Sequence, residues 1–357
     1  MVRNRTGNSI DRWARIVGAA PIGGLAALAL AGGLAVSAPA RAQGTCSHTA
    51  SDAFVACHFE VVEDFWQAKG VCRNESDPGE RATCLDEARS ERAEARELCR
   101  EQRAARRALC DALGEAPYDP PFDAADFETD FDDLTNPNPY FPLAVGNSWV
   151  YVEGDGEAST IVEVLDKTKL IEGVTCIVVN DVELEEGQVT EDTDDWFAHA
   201  IAGDIHYCGE ISREFELFDG DDPEEAELVE IEGSWKAGRD GAKAGLLIPF
   251  APQVGDVFRT EWAFGDAEDA AKVLSVDYGF GSDPELDFLV PQQLAELLCN
   301  DDCLVTKDID SLEPEAEERK YYAPGVGLFL EVDLEEDQVG WLVACNVDPV
   351  CDSLPVL

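Results

Sequence analysis

The sequence predicts an α+β protein: a disulfide-laced antiparallel helical hairpin, then a mainly antiparallel β domain forming a curved sheet, barrel or sandwich. Three observations predict it. Six of the twelve cysteines, at 46, 57, 72, 84, 99 and 110, are placed symmetrically about position 78. Apolar residues up to about 110 recur at helical spacing, whereas beyond 140 short runs alternate with period two between turn residues. Charge divides at the same place. Residues 43–116 hold 10 basic and 15 acidic side chains, and residues 117–357 hold 11 and 59, within a chain of net charge −49.

Residues 1–42 read as a signal peptide. Arg3, Arg5, Arg12 and Arg15 open it, an apolar stretch rich in Ala, Gly and Leu covers 16–38, and Ala40-Arg41-Ala42 supplies a small-x-small cleavage pattern. The rival is a retained membrane anchor, which the interrupting Gly and Pro disfavour. No cysteine stands at the cleavage point, which argues against a lipoprotein. No later apolar run approaches the roughly 18 residues needed to cross a bilayer, so the mature chain is expected to lack a transmembrane segment and to be periplasmic or extracellular. All twelve cysteines lie beyond the cleavage point, an even number in an oxidising setting, which favours disulfides.

In two antiparallel helices, facing residues keep a constant positional sum, so residues 43–116 read as a hairpin with nested bridges Cys46–Cys110, Cys57–Cys99 and Cys72–Cys84. The first helix is expected from about 51 to 72, with Phe54, Cys57, Val61, Phe65, Ala68 and Cys72 on one face. The intervals of 11 and 15 residues between its cysteines rotate by only about 20° and 60°, which keeps them on one stripe. Asp77 suits an N-cap, Pro78 the first helical position and Glu80 the far end of a capping box. Ala88, Ala95 and Leu98 supply little apolar bulk, so the bridges must do what a core cannot. A metal site using His48 and His58 is the rival, but its ligands would be spread along ~39 Å of helix. Phe59, Val62 and Trp66 lie off the cysteine stripe and would pack elsewhere. Arg100, Arg103, Arg106 and Arg107 cluster toward the end of the second helix. They are expected either to dock on acidic surface, in cis or on a partner, or to form a solvated helix end.

Residues 117–139 read as an acidic linker, opened by Pro117, Pro120 and Pro121 and carrying Phe122, Phe127 and Phe131, which could tack it to a surface. Residues 140–357 form the acidic β-rich domain. Strands are expected at 148–153, 159–166, 175–182, 197–200, 204–209, 214–218, 228–232, 257–262 and 272–276. A helix at about 291–298 interrupts the series, and strands resume at 303–308, 320–322, 328–332 and 340–345. Cys176 with Cys208, Cys299 with Cys303, and Cys345 with Cys351 could close local staples. Cross-pairing of 299 and 303 with 345 and 351 is the alternative.

Several blocks resemble a widespread family of secreted bacterial proteins. They are Asn138-Pro139-Tyr140-Phe141-Pro142-Leu143 with Gly146-Asn147-Ser148-Trp149, Glu191-Asp192-Thr193-Asp194-Asp195-Trp196-Phe197, Ala237-Gly238-Arg239-Asp240-Gly241-Ala242 and Tyr321-Tyr322-Ala323-Pro324-Gly325-Val326-Gly327. The resemblance spans roughly 138–345. It implies export and a β-rich domain, and no activity.

Candidate chemistry is sparse. The densest polar stretch runs from Asp194 to Glu210. With a two-residue turn at Gly203-Asp204, His199 would face Cys208, His206 would face Ile201, and Asp195, His199 and His206 would share one face able to hold a divalent metal. Ordinary cross-strand packing is the alternative. The oxygen-rich stretch 218–225 is a candidate calcium loop without the EF-hand spacing. Trp235 to Gly241 reads as an ordered surface loop, and Gly325-Val326-Gly327 as a tight turn. There is no Gly-x-Ser-x-Gly elbow, His-Glu-x-x-His helix or phosphate-binding glycine loop. The acidity excludes nucleic acid and anionic lipid as partners and favours cations or basic proteins. The leading expectation is a non-catalytic exported protein that binds a small ligand, a cation such as calcium, or a basic protein partner through its β domain. The alternatives are a secreted metal-dependent hydrolase built on 194–210 and a calcium-responsive structural protein.

Overall fold

The structure is a computed structural model and describes residues 44–356 apart from 155, 157, 219, 221, 224, 232 and 336. The segment 1–42 therefore lies outside the described residues, as do 219, 221 and 224 of the candidate calcium loop. Two long helices come first, α1 (Thr45–Asn74) and α2 (Pro78–Leu113). They are antiparallel and carry the three nested disulfides, with Cα separations of 5.6, 5.8 and 5.5 Å for Cys46–Cys110, Cys57–Cys99 and Cys72–Cys84. α1 starts earlier than its apolar pattern suggests. Gly44 leads into it in the left-handed conformation, and the Ser47 backbone N–H donates to Glu115 beyond the end of α2.

At the hairpin turn Asp77 caps α2 by accepting from the backbone of Gly79 at 2.7 Å and Glu80 at 3.0 Å. The reciprocal half of a capping box is not made by Glu80: the Asp77 N–H donates to Glu75 at 3.2 Å. Along the helices Val61 and Ala88 are buried, while Val55, Phe59, Trp66 and Leu98 stay exposed. The bridges thus supply cohesion that the thin apolar seam does not. Replacing Cys57 and Cys99 together by alanine is expected to cost roughly 2–3 kcal/mol. That is less than a free loop of this separation would lose, because the outer and inner bridges still confine the chain. Urea unfolding followed by helical circular dichroism measures it, and an unmoved midpoint would contradict it.

The β domain is one sheet. Its strands are β1 (Ser148–Glu153), β2 (Ala158–Ile171), β3 (Val174–Glu185), β4 (Gln188–His199), β5 (Ile205–Ile211), β6 (Glu214–Glu216), β7 (Glu227–Glu230), β8 (Gly245–Ile248), β9 (Val257–Arg259) and β10 (Ala270–Tyr278). After α3 (Gln292–Leu298) come β11 (Cys303–Ile309), β12 (Glu318–Ala323), β13 (Gly327–Asp333) and β14 (Gln338–Cys345). All pairings are antiparallel, in the order β7-β6-β4-β3-β2-β1-β14-β13-β12-β11-β10-β9, with β5 joining β4 to β8. The β8 end of the branch and the β9 end of the order meet. The Lys243 N–H donates to the Trp262 carbonyl at 2.9 Å, and Gly245 lies against the Thr260 backbone. The sheet is therefore rolled nearly shut, the barrel-like member of the expected options.

Most expected strands appear, several longer at their ends. Two were not anticipated: β8, and the acidic first half of β4, whose carboxylates hid its strand character. Cys299–Cys303 and Cys345–Cys351 form as local staples. Cys176–Cys208 joins β3 to β5, and because both pair with β4 the bridge passes across that strand rather than linking direct neighbours.

The connector 117–139 lies along the β domain. Phe127 and Phe131 are buried, Phe127 forms a β-bridge with Ala200, and Tyr118 donates its hydroxyl to the Ala244 carbonyl at 3.0 Å. The hairpin docks in cis. Arg106 forms a bidentate ion pair with Glu268, and Gln102 donates to the Leu312 carbonyl at 2.8 Å. Of the four clustered arginines, Arg106 makes the docking contact, Arg100 pairs with Glu97 along the helix, and Arg103 lies over the Phe54 ring.

Candidate functional site

The rolled sheet lines a partly open cavity of about 360 Å³. Among the described residues its wall carries eleven carboxylates and one lysine. They come from every side: Asp181 and Glu183 on β3, Glu191 on β4, Glu210 on β5, Glu261 after β9, and Asp269 before β10. Asp308 on β11, Asp310 and Glu313 in the loop beyond it, Glu318 and Lys320 on β12, and Asp333 on β13 complete the ring. Strand alternation places them there, since Asp181 pairs with Thr193 and Glu183 with Glu191 across β3 and β4, all pointing to one face.

Taking carboxylates out of water disfavours their charged form. Burial, then Glu191 and Glu153, pushes Glu183 up to about 8. Burial, then Asp195 and Glu183, holds Asp181 well above the usual carboxylate range. Glu261, Asp269 and Glu318 are raised for the same reasons. Burial would discharge Lys320, but Asp308, Glu331 and Glu318 outweigh it and hold its pKa well above the ordinary value. The Lys320 ammonium lies 2.6 Å from Asp308 and 3.7 Å from Glu331.

Asp195 and Glu210 form a cross-strand pair bridged by the Tyr207 hydroxyl, which hydrogen-bonds Asp195 and lies 2.6 Å from Glu210. One phenolic proton cannot serve two carboxylates, so one of the pair carries a proton, in keeping with the upward shift of both. Other polar wall atoms are left open. Among the described residues Asp181 Oδ1 and Glu183 Oε2 have no hydrogen-bond partner.

The expected metal site does not assemble. The turn between β4 and β5 is longer than two residues, with the Ala200 N–H donating to the Asp204 carbonyl. His199 therefore pairs with Ile205, and Ala198 with His206. This odd shift in register moves His206 to the opposite face from His199 and Asp195. His206 packs on the ring of Phe127 at 5.1 Å on the outer face, while His199 is fully buried. Burial lowers both imidazole pKa values. Of the three predicted residues, Asp195 adjoins the chamber through Tyr207 and Glu210. Among the described residues no group of three or more His, Cys, Asp or Glu side chains has an arrangement that could hold a metal ion. The chamber carboxylates are spread around a wall rather than converging on a point.

Apart from Glu191 and Glu210, none of these acids is singled out by the sequence. The available signal was alternation, as in Asp181-Val182-Glu183-Leu184-Glu185, but alternation does not say which face is inside.

No family model matches the chain, and no curated protein matches it. Among solved structures it is similar to the crystal structure of a "putative lipoprotein" from Parabacteroides distasonis ATCC 8503. Identity is 10%, coverage is 59% of this chain and 99% of that one, and the TM-score is 0.27. A superposition this loose carries no argument about fold or function. Six disulfides fit an oxidising, extracytoplasmic setting. Among the described residues no helix is long and apolar enough to cross a membrane.

Proposed function

We propose that the protein is an exported, non-catalytic binding protein, periplasmic or extracellular, whose β domain captures a small organic polycation in the carboxylate-walled chamber. The carrying observation is a partly open volume of about 360 Å³ in which, among the described residues, eleven carboxylates face one lysine. That volume falls in the range of small-molecule sites. Buried carboxylates lacking counter-charge are costly, and a ligand with two or more amino or guanidino groups supplies the missing charge and donors together. The dispersed acids suit spaced cationic groups better than a single ion, and Tyr322 adds an aromatic wall.

Isothermal titration with spermidine, in about 0.15 M salt to screen the outer surface, tests this. Saturable one-site binding is expected, with at least a tenfold loss in an Asp181→Asn, Glu183→Gln double variant. Heats that never saturate, or that the double variant reproduces, would overturn it.

A further inference from the structure

A second polar space, of opposite sign, lies where α2 meets the β domain. Arg106 and Arg259 are each 5% exposed. Arg106 donates to Glu268 from Nε at 2.6 Å and from Nη2 at 3.2 Å, but its Nη1 is buried without a partner. Arg259 is more isolated. Its guanidinium lies over the rings of Trp262 at 4.2 Å and Tyr118 at 5.8 Å, and among the described residues its buried Nη1 also lacks any hydrogen-bond partner. Both arginines, with Glu268 and Trp262, line a small, partly open space of about 10 Å³.

Two guanidinium groups here face one carboxylate, which leaves a single positive charge out of water. Burial lowers the Arg259 pKa, yet guanidinium does not shed its proton in proteins, so discharge is not a way out. Asp269 acts on Arg259 from nearby, but among the described residues no ion pair joins the two, and its carboxyl lines the acidic chamber, where burial holds its pKa well above the usual range. A water molecule could accept hydrogen bonds from the two Nη1 groups but would leave the charge standing. A space of one solvent-sized sphere excludes sulfate, phosphate and carboxylates.

We propose that this space binds one monatomic, monovalent anion, chloride in an ordinary saline medium, held by Nη1 of Arg106 and Nη1 of Arg259. The ion neutralises the junction and ties the disulfide hairpin to the barrel. It is a halide site inside a chain whose net charge is −49.

Thermal unfolding of the full chain in sodium chloride, sodium bromide and sodium gluconate, at equal ionic strength, tests the proposal. The melting temperature is expected to rise by a few degrees, saturably, with chloride and bromide but not with gluconate. The Arg259→Met variant should lose that difference. Equal wild-type melting temperatures in chloride and gluconate would overturn the site, as would a difference that persists in Arg259→Met. Because the variant could fail to fold, bromide-soaked wild-type crystals give an independent readout. An anomalous peak beside Arg106 and Arg259 supports the site, and a water-like peak with no anomalous signal overturns it.

Discussion

Substituting Gly245 by alanine is expected to open the seam of the barrel and destabilise the protein by about 3 kcal/mol or more. The reason is space, not backbone conformation. A Cβ on Gly245 would stand 1.6 Å from the Thr260 carbonyl oxygen and 2.3 Å from its carbon. Both are main-chain atoms, so no rotamer change relieves the clash and β8 must move bodily. β8 is pinned on its other edge to β5, where Tyr207 pairs with Gly245 and Ile205 with Ile248. Shifting it breaks the Lys243–Trp262 bridge and disturbs the Ala244 carbonyl that anchors Tyr118. Leu247, Thr260 and Glu261 line the chamber at this seam, so polycation binding should be lost with the stability. Gly70 provides the contrast. It is exposed near the end of α1 with nothing within 4 Å of a built Cβ, and Gly70→Ala should stabilise by up to about 1 kcal/mol. Urea midpoints of the two variants decide the matter. A Gly245→Ala protein within ~0.5 kcal/mol of wild type, still binding spermidine, would show that the seam does not close as described.

The contrast between the two halves explains what the sequence could reveal. The hairpin was legible because its constraints are one-dimensional: cysteine spacing, a turn at Asp77-Pro78 and helical period together leave one pairing. The barrel depends on non-local contacts that leave weaker traces. Gly245 looks like any loop glycine until Thr260 is brought beside it. At the β4–β5 turn a two-residue loop would put His206 on the face of His199, and the longer loop puts it on the opposite one. The acidic half of β4 was missed because strands are expected to carry apolar and β-branched residues. Glu191, Asp192, Asp194 and Asp195 instead satisfy two polar environments, with Asn180 donating to Asp192 on one face and the chamber on the other. The junction arginines stood out as a cluster, but only the fold shows that Arg106 has the Glu268 partner and that Arg259, far away in sequence, shares its space.

The ligand-free protein is expected to be more stable at pH 5 than at pH 8, the reverse of a protein whose carboxylates are held low by salt bridges. Glu183 is raised from 4.5 to about 8 in the folded state, and Asp181, Glu210, Glu261, Asp269 and Glu318 shift the same way. A carboxyl whose folded pKa lies above its unfolded value binds protons more tightly when folded. Its contribution is therefore complete below about 4.5 and is lost as pH rises toward 8. His199 and His206 act oppositely, since burial lowers their pKa and charging them below 6.5 disfavours the fold. Two histidines oppose at least six carboxyls, and repulsion across the acidic exterior also relaxes on acidification, so the carboxyls set the sign. Each pKa unit is worth about 1.4 kcal/mol, and the net difference should be on the order of 3 kcal/mol, or roughly 5–10 °C in melting temperature. A bound polycation would remove most of this loss, because it replaces the protons. Binding should accordingly strengthen as pH rises from 5 to 8. The Asp181→Asn, Glu183→Gln double variant should melt higher than wild type at pH 8 while binding spermidine poorly, as groups kept for a ligand at the expense of stability would. A melting temperature that climbs steadily from pH 5 to pH 8 without ligand, or a double variant less stable than wild type at pH 8, would mean that these carboxyls are not held out of water inside the barrel.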